Sequence, residues 1–337
     1  AAALCVSLAA CGSTGAASGA AASSESTAAE SAATSEAAPA ESAAETIGSG
    51  KVTVYMPSPA GLADKLAEGF TAKTGIEVEQ FQGTTGEILA RLEAEQANPV
   101  ADVVILASWS DGLSMKADGQ LESYTPTNAD KIVDGWIDAD NELFGYSASA
   151  VGVIYNTTVF PTMDADWSEL GNAEYKDQLA IPDPEKSGGW TDFEAMAANG
   201  MKVPGANKAA LEAVTTGEVG ALVAGVDYNA YSSKAKGEPI DIYYPAGGTV
   251  VNPRPAMILK TAPNMDNAKA FVDYLFSDEA QELVAKAYLL PGRSDVKCDS
   301  RSNLEDIPQI KPDWEKMMAE ASEDSAKVNE LCSANNG

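Results

Sequence analysis

Histidine is missing altogether from this chain of 337 residues. Its absence excludes Ser-His-Asp and Cys-His nucleophile systems and zinc sites built on imidazole. Cationic side chains are scarce: 22 Lys and Arg stand against 50 Asp and Glu, a formal net charge of −28. A surface this acidic repels phosphate backbones and argues against a nucleic-acid partner. Aromatic residues make up only 7% of the chain, and no apolar run approaches the roughly 18 residues of a membrane-spanning helix. Cysteine is confined to Cys5, Cys11, Cys298 and Cys332. What is present is enough chain for two domains of about 100 to 200 residues each.

The stretch SLAACGSTGAASG sets Cys11 between a short apolar run and a tract of Ala, Ser, Gly, Thr and Glu. Residues 1–10 read as the end of a secretory signal peptide. Leu8-Ala9-Ala10-Cys11 resembles a bacterial lipobox, which implies a lipid on the Cys11 thiol and removal of the residues before it. The competing reading is an ordinary signal peptide with an incidental cysteine. Residues 12–49 hold five Glu and no Lys or Arg. Such a composition buries too little apolar surface to offset its ordering entropy, so residues 11–50 are expected to be a disordered tether. A coil of that length reaches roughly 30 to 40 Å. One acyl chain holds a protein to a bilayer marginally, and two or more hold it stably. The expected location is the outer face of a bacterial membrane, lipid-anchored, or the periplasm.

Order is expected from Lys51. KVTVYM alternates as a strand. A helix should follow, with Ser58 as N-cap, Pro59 at the first helical position, a stripe of Leu62, Leu66 and Phe70, and Gly75 at its end. IEVEQF reads as a second strand and TTGEILARLEAEQA as a second helix, opened by a Thr84–Glu87 capping box. ADVVILA reads as a strand covered on both faces. Alternating strands and helices predict an α/β domain with right-handed crossovers. A long extended run, GYSASAVGVIYN, leads into a second α/β region, and VVNPRPAMILK leads out of it. NMDNAKAFVDYLFSDEAQELVAKA predicts two amphipathic helices split near Ser277-Asp278. Two α/β units joined by two extended stretches enclose a cleft at the carboxyl ends of their strands. Those ends carry hydroxyls, glycines and free amides rather than paired carboxylates, a composition that holds a ligand without transforming it. Ser58, Thr84, Thr85 and Ser108 are the candidates in the first unit, with helix capping as the competing reading. Arg254, in NPRP beside one crossing, is a candidate partner for an anion.

These stretches, together with IPDPEKSG, GANKAALEAVTTGEVG and AKAFVDYLFSDEAQELVAKAYLLPGRSDV, resemble the extracellular solute-binding proteins of ABC importers. The resemblance spans roughly residues 51–296 and is to the group of ferric-ion-binding proteins and their phosphonate- and sugar-phosphate-binding relatives. It implies an α/β, two-lobe, type II periplasmic-binding-protein-like fold, with a hinge of two crossing extended segments. Lobe 1 is expected to comprise 51–147 plus 255–337, and lobe 2 residues 148–254. It further implies a monomer without cofactor or enzymatic activity, whose partners are a small solute and transmembrane permease subunits. Ferric-binding members hold iron through a histidine, a glutamate and two adjacent tyrosines. The matching positions here are Pro59, Ala107 and Asp227-Tyr228, so no metal is expected, and Asp227 and Tyr228 are the ligands if iron is bound. Tyr243 and Tyr244 should point to opposite faces of a strand. The anion half of the family site matches Ser187, Gly188 and Asn207, at two helix starts where free amides attract negative oxygens.

The leading expectation is therefore capture of a small anion: a phosphonate, an organophosphate or an oxyanion. The alternative is ferric iron with a synergistic anion. A surface hydrolase, using Asp183 or Asp227 as its acid, and an adhesion module come after these. An oxidising compartment makes a Cys298–Cys332 disulfide the expected state of the two remaining thiols.

Overall fold

A computed structural model describes residues 49–335 except 60 and 183–192. Cys11, Ser187, Gly188 and Asp183 lie outside the described residues, as does the tract expected to be a tether.

The first half opens with β1 (Lys51–Met56), α1 (Leu62–Thr74), β2 (Glu77–Gln82), α2 (Thr85–Ala94), β3 (Val103–Ile105), α3 (Trp109–Ala117) and the short β4 (Leu121–Glu122). β1 runs parallel to both β2 and β3, giving the order β2-β1-β3, in keeping with the α/β domain expected from alternating strands and helices. Side-chain alternation sends Val52, Val54 and Met56 into one apolar cluster and Tyr55 into another on the opposite face. Val103 and Ile105 likewise part from Val104. Both faces of β1 and β3 are therefore covered, whereas β2, at the edge of the sheet, is polar and largely exposed. Gly75 ends α1 at φ 78°, a left-handed cap that places its N–H 2.8 Å from the Thr71 carbonyl.

β5 (Phe144–Asn156) is the strand on which the molecule turns. Its residues 144–150 pair with β9 (Val251–Leu259), and its residues 151–156 pair with β7 (Ala221–Val226) and β8 (Ile240–Tyr243). β9 in turn pairs with β3. These are the two crossing segments expected from GYSASAVGVIYN and VVNPRPAMILK.

The second half contains β6 (Leu179–Ala180), α4 (Phe193–Ala198), α5 (Asn207–Thr215), β7, α6 (Asp227–Ala235) and β8. Its core divides in the same way: Val153, Ala221 and Val223 face one cluster, Ile154 and Leu222 the other. The chain then returns to the first half through α7 (Met265–Leu275), α8 (Asp278–Lys286) and β10 (Leu290–Pro291), which pairs with β5. Ser277 caps α8 through the Ala280 amide, at the split that the sequence indicates. α9 (Trp314–Cys332) is about 28 Å long. Its Trp314 packs on the first half, whereas Val328 and Cys332 are buried in the second.

That placement overturns the expected disulfide. Cys298 and Cys332 are both free and buried. The Cys298 thiol points at the Leu289 carbonyl, 3.5 Å away in the first half, while Cys332 sits in the core of the second. Burial pushes each thiol up to about 11.

Candidate ligand-binding site

The carboxyl ends of β1, β2 and β3 gather the candidates of the first half, but not all of their hydroxyls are free. Thr84 forms the expected capping box with Glu87: its Oγ1 accepts from the Glu87 amide at 3.3 Å, and the Glu87 carboxylate accepts from the Thr84 amide at 2.7 Å. Thr85 Oγ1 accepts from the Ala107 amide at 3.3 Å, and Ser108 shares its hydroxyl with Ser110 at 2.7 Å. All three hydroxyls are engaged locally, but only Thr84 caps its helix: Ser108 stands at the N-cap of α3 without a side-chain cap bond, and Thr85 ties α2 to the loop after β3.

Ser58 departs from expectation in a useful direction. It does not cap α1: Gly61 does, at φ 79°. Ser58 Oγ is left buried with no hydrogen-bond partner. Next to it, the Pro57 carbonyl accepts from Arg254 Nη2. Arg254 is only 5% exposed, its Nε has no partner, and it forms no ion pair among the described residues. Across the β5–β9 ladder from Arg254 lies Ser147, whose Oγ is also buried and unpartnered. Three adjacent positions thus carry unsatisfied polar atoms, one of them a full positive charge. Each such group costs about 1 to 3 kcal/mol when buried without a partner. In the second half, Asn207 is the first residue of α5, capped by Ala206, and its Oδ1 is likewise buried and unpartnered.

Asp227, expected as a ligand, is instead engaged within the chain. It is fully buried at the start of α6, and every neighbour stabilises its charge from inside. Its Oδ2 accepts from Arg301 Nη2 at 2.6 Å, from the Ala150 amide at 3.0 Å and from the Tyr244 hydroxyl at 3.1 Å. Its Oδ1 accepts from the Tyr228 amide at 2.8 Å. Burial drives the Asp227 carboxyl up, and Arg301 with these donors pulls it back. Tyr228 is half-buried with its ring against the core of the first half. Tyr243 and Tyr244 do face opposite ways, Tyr243 into the second half's core and Tyr244 against the first.

The family described as bacterial extracellular solute-binding protein matches residues 98–319, about two thirds of the chain. The chain belongs to that family. This solute-binding protein is 27% identical over 296 residues to a putative 2-aminoethylphosphonate-binding periplasmic protein of Salmonella paratyphi A, covering 78% of this chain and 86% of the relative. It is 26% identical over 267 residues to iron uptake protein A1 of Synechocystis, covering 70% and 74%. Iron-bound HitA of Pseudomonas aeruginosa superimposes with a TM-score of 0.71 at 20% identity, over 82% of this chain and 99% of that one. AfuA of Actinobacillus pleuropneumoniae, with fructose-6-phosphate bound, gives 0.69 at 22% identity, over 85% and 97%. The fold is that of the type II periplasmic binding proteins, as the resemblance implied.

Two buried polar groups of this region escaped the sequence. Arg301 lies in CDSRSN, a polar stretch without periodicity, and Ser147 lies in a run that reads only as extended. Neither carries a local signal: Arg301 is held by Asp227, distant along the chain, and Ser147 is placed by the pairing of β5 with β9. A cavity of about 740 Å³ also lies apart from the expected site, between the C-terminal ends of α2 and α3, where Leu89, Leu92, Asp111 and Met115 line it. None of the candidate residues borders it.

Proposed function

We propose that this solute-binding protein captures a small anion between its two lobes and delivers it to the permease of an ABC importer. The anion is a phosphonate, an organophosphate or an inorganic oxyanion. Arg254 supports this reading: a guanidinium so deeply buried, with a carbonyl as partner and no carboxylate among the described residues, is a receptor for an external negative charge. Ser58 and Ser147 add hydroxyl donors. The ferric alternative would need Asp227, which Arg301 already neutralises. The same pairing leaves Asp227 unfit as the base of a hydrolase, so the protein binds without making or breaking bonds and without a cofactor. It works as a monomer, held at the outer membrane face through lipid on Cys11.

Equilibrium titration with 2-aminoethylphosphonate, inorganic phosphate, fructose 6-phosphate and ferric citrate tests this function. At least one anion is expected to bind at micromolar Kd or tighter. Arg254→Ala should weaken that binding about ten- to hundredfold, the worth of one or two charge-assisted hydrogen bonds. Failure of every anion to bind, or an unchanged Kd in the variant, refutes it.

A further inference from the structure

Where β5 changes partners, a set of oxygen donors converges on a single cation. Asp227 Oδ2 lies 2.6 Å from Arg301 Nη2 and 3.1 Å from Tyr244 Oη. Tyr244 Oη lies 3.3 Å from Tyr231 Oη and 3.4 Å from Arg301 Nη2. The Tyr231 ring lies beneath the guanidinium, its centroid 5.1 Å from the central carbon. A carboxylate with a phenol beside it is a donor pair suited to a hard cation, while the Tyr231 oxygen is engaged by Tyr244 and by Ser302. Arg301 occupies it. Arg301 Nη1 donates to the Tyr288 carbonyl at 2.7 Å and Nε to the Ser302 carbonyl at 2.9 Å, so the group is planted from its own segment and cannot swing out. Both charged side chains of the pair are completely buried. A guanidinium does not lose its proton in any accessible pH range, so its charge there is permanent.

The geometry points to Arg301 as a specificity-determining residue: a covalently attached cation that saturates Asp227 and Tyr244 and stacks on the Tyr231 ring, so that no metal ion is taken up at the hinge and no bare carboxylate repels an anion in the cleft. The assignment rests on the anion reading for its purpose and on the hinge geometry for its substance. It also ties the start of α6, in the second lobe, to the 288–302 segment, whose β10 pairs with β5 beside the first. The cation thus sits at the pivot about which the lobes of such a fold close.

Two probes test it. The first is ferric citrate added to the wild-type protein, read by visible absorption. No phenolate-to-iron band is expected; a band in the wild type that Tyr244→Phe abolishes overturns the assignment, and this arm needs no variant of Arg301 to fold. The second is methylguanidinium at millimolar concentration, read by thermal unfolding. Arg301→Ala is expected to gain several degrees in Tm from it, while the wild type and Asp227→Asn/Arg301→Ala gain none. A folded Arg301→Ala that gains nothing overturns the assignment. If no anion binds the wild type while both arms behave as expected, the anion reading falls and the role of Arg301 stands.

Discussion

Arg301 and Arg254 are buried to nearly the same degree, at 6% and 5% exposure, and both reach into the region where β5 passes from one half of the sheet to the other. Arg301 meets the carboxylate of Asp227, two carbonyls and the phenol of Tyr244. Arg254 meets the carbonyl of Pro57 and leaves its Nε unpartnered. A buried charge with its counter-charge in the same chain is spent inside the fold, since removing either partner strands the other in a medium of low dielectric. A buried charge without one is poised for a ligand. Arg293 falls between them. It is 3% exposed, but its acids, Asp278 and Asp295, are 84% and 44% exposed at the side chain, so water shares in their charge.

The comparison is sharpest in unfolding experiments. Arg301→Ala should cost about 3 to 5 kcal/mol in urea-monitored stability, because it leaves Asp227 uncompensated. Asp227→Asn/Arg301→Leu should recover much of that loss. A cost under about 1 kcal/mol for the single variant would erase the distinction between the two arginines. Arg254→Ala should behave in the opposite way. Its stability should stay within about 1 kcal/mol of wild type or rise, because an unsatisfied group is removed, while anion affinity falls. If Arg254→Ala destabilises as much as Arg301→Ala, Arg254 is a structural residue.

Ser58→Ala should leave stability unchanged or raise it by about 1 kcal/mol, because an unsatisfied hydroxyl is removed, and should lower anion affinity about tenfold, the loss of one hydrogen bond to a charged group. Isothermal titration of variant and wild type side by side measures it. The smallest effect belongs to Asp295. Hydrogen bonding from Arg293 holds its carboxyl down at about 2. A folded-state pKa below the unfolded value of about 3.9 gives stability that is present above pH 4 and lost as pH falls toward 2. With the side chain 44% exposed, the contribution stays under about 1 kcal/mol. Asp295→Asn should therefore lower stability at pH 7 by no more than that amount and leave it unchanged near pH 2, which flattens the acid limb slightly.

Much of the fold was legible because it rests on local periodicity. Leu62, Leu66 and Phe70 repeat at helical spacing and all three are buried. Thr84 and Glu87 stand three apart and form the capping box that this spacing implies. The long run beginning at Gly145 reads as one extended segment and is one strand. The candidate site was legible only in part. Ser58 and Arg254 keep free polar atoms, whereas Thr84, Thr85 and Ser108 spend theirs on local ties. One-dimensional spacing cannot tell these apart, since both kinds of hydroxyl occur at helix starts. Asp227 looked like a ligand because its partner is 74 residues away along the chain.

The sequence by itself determined the alternation of strands and helices, the two extended crossings, the acidic surface and the absence of imidazole chemistry, because each depends on residue identity or on neighbours within a turn or a pleat. Tertiary structure decided which charges are spent. Only folding brings Arg301 to Asp227 and leaves Arg254 beside Ser58 and Ser147, and only burial raises the difference between those two environments to several kcal/mol by withdrawing the water that would otherwise screen it.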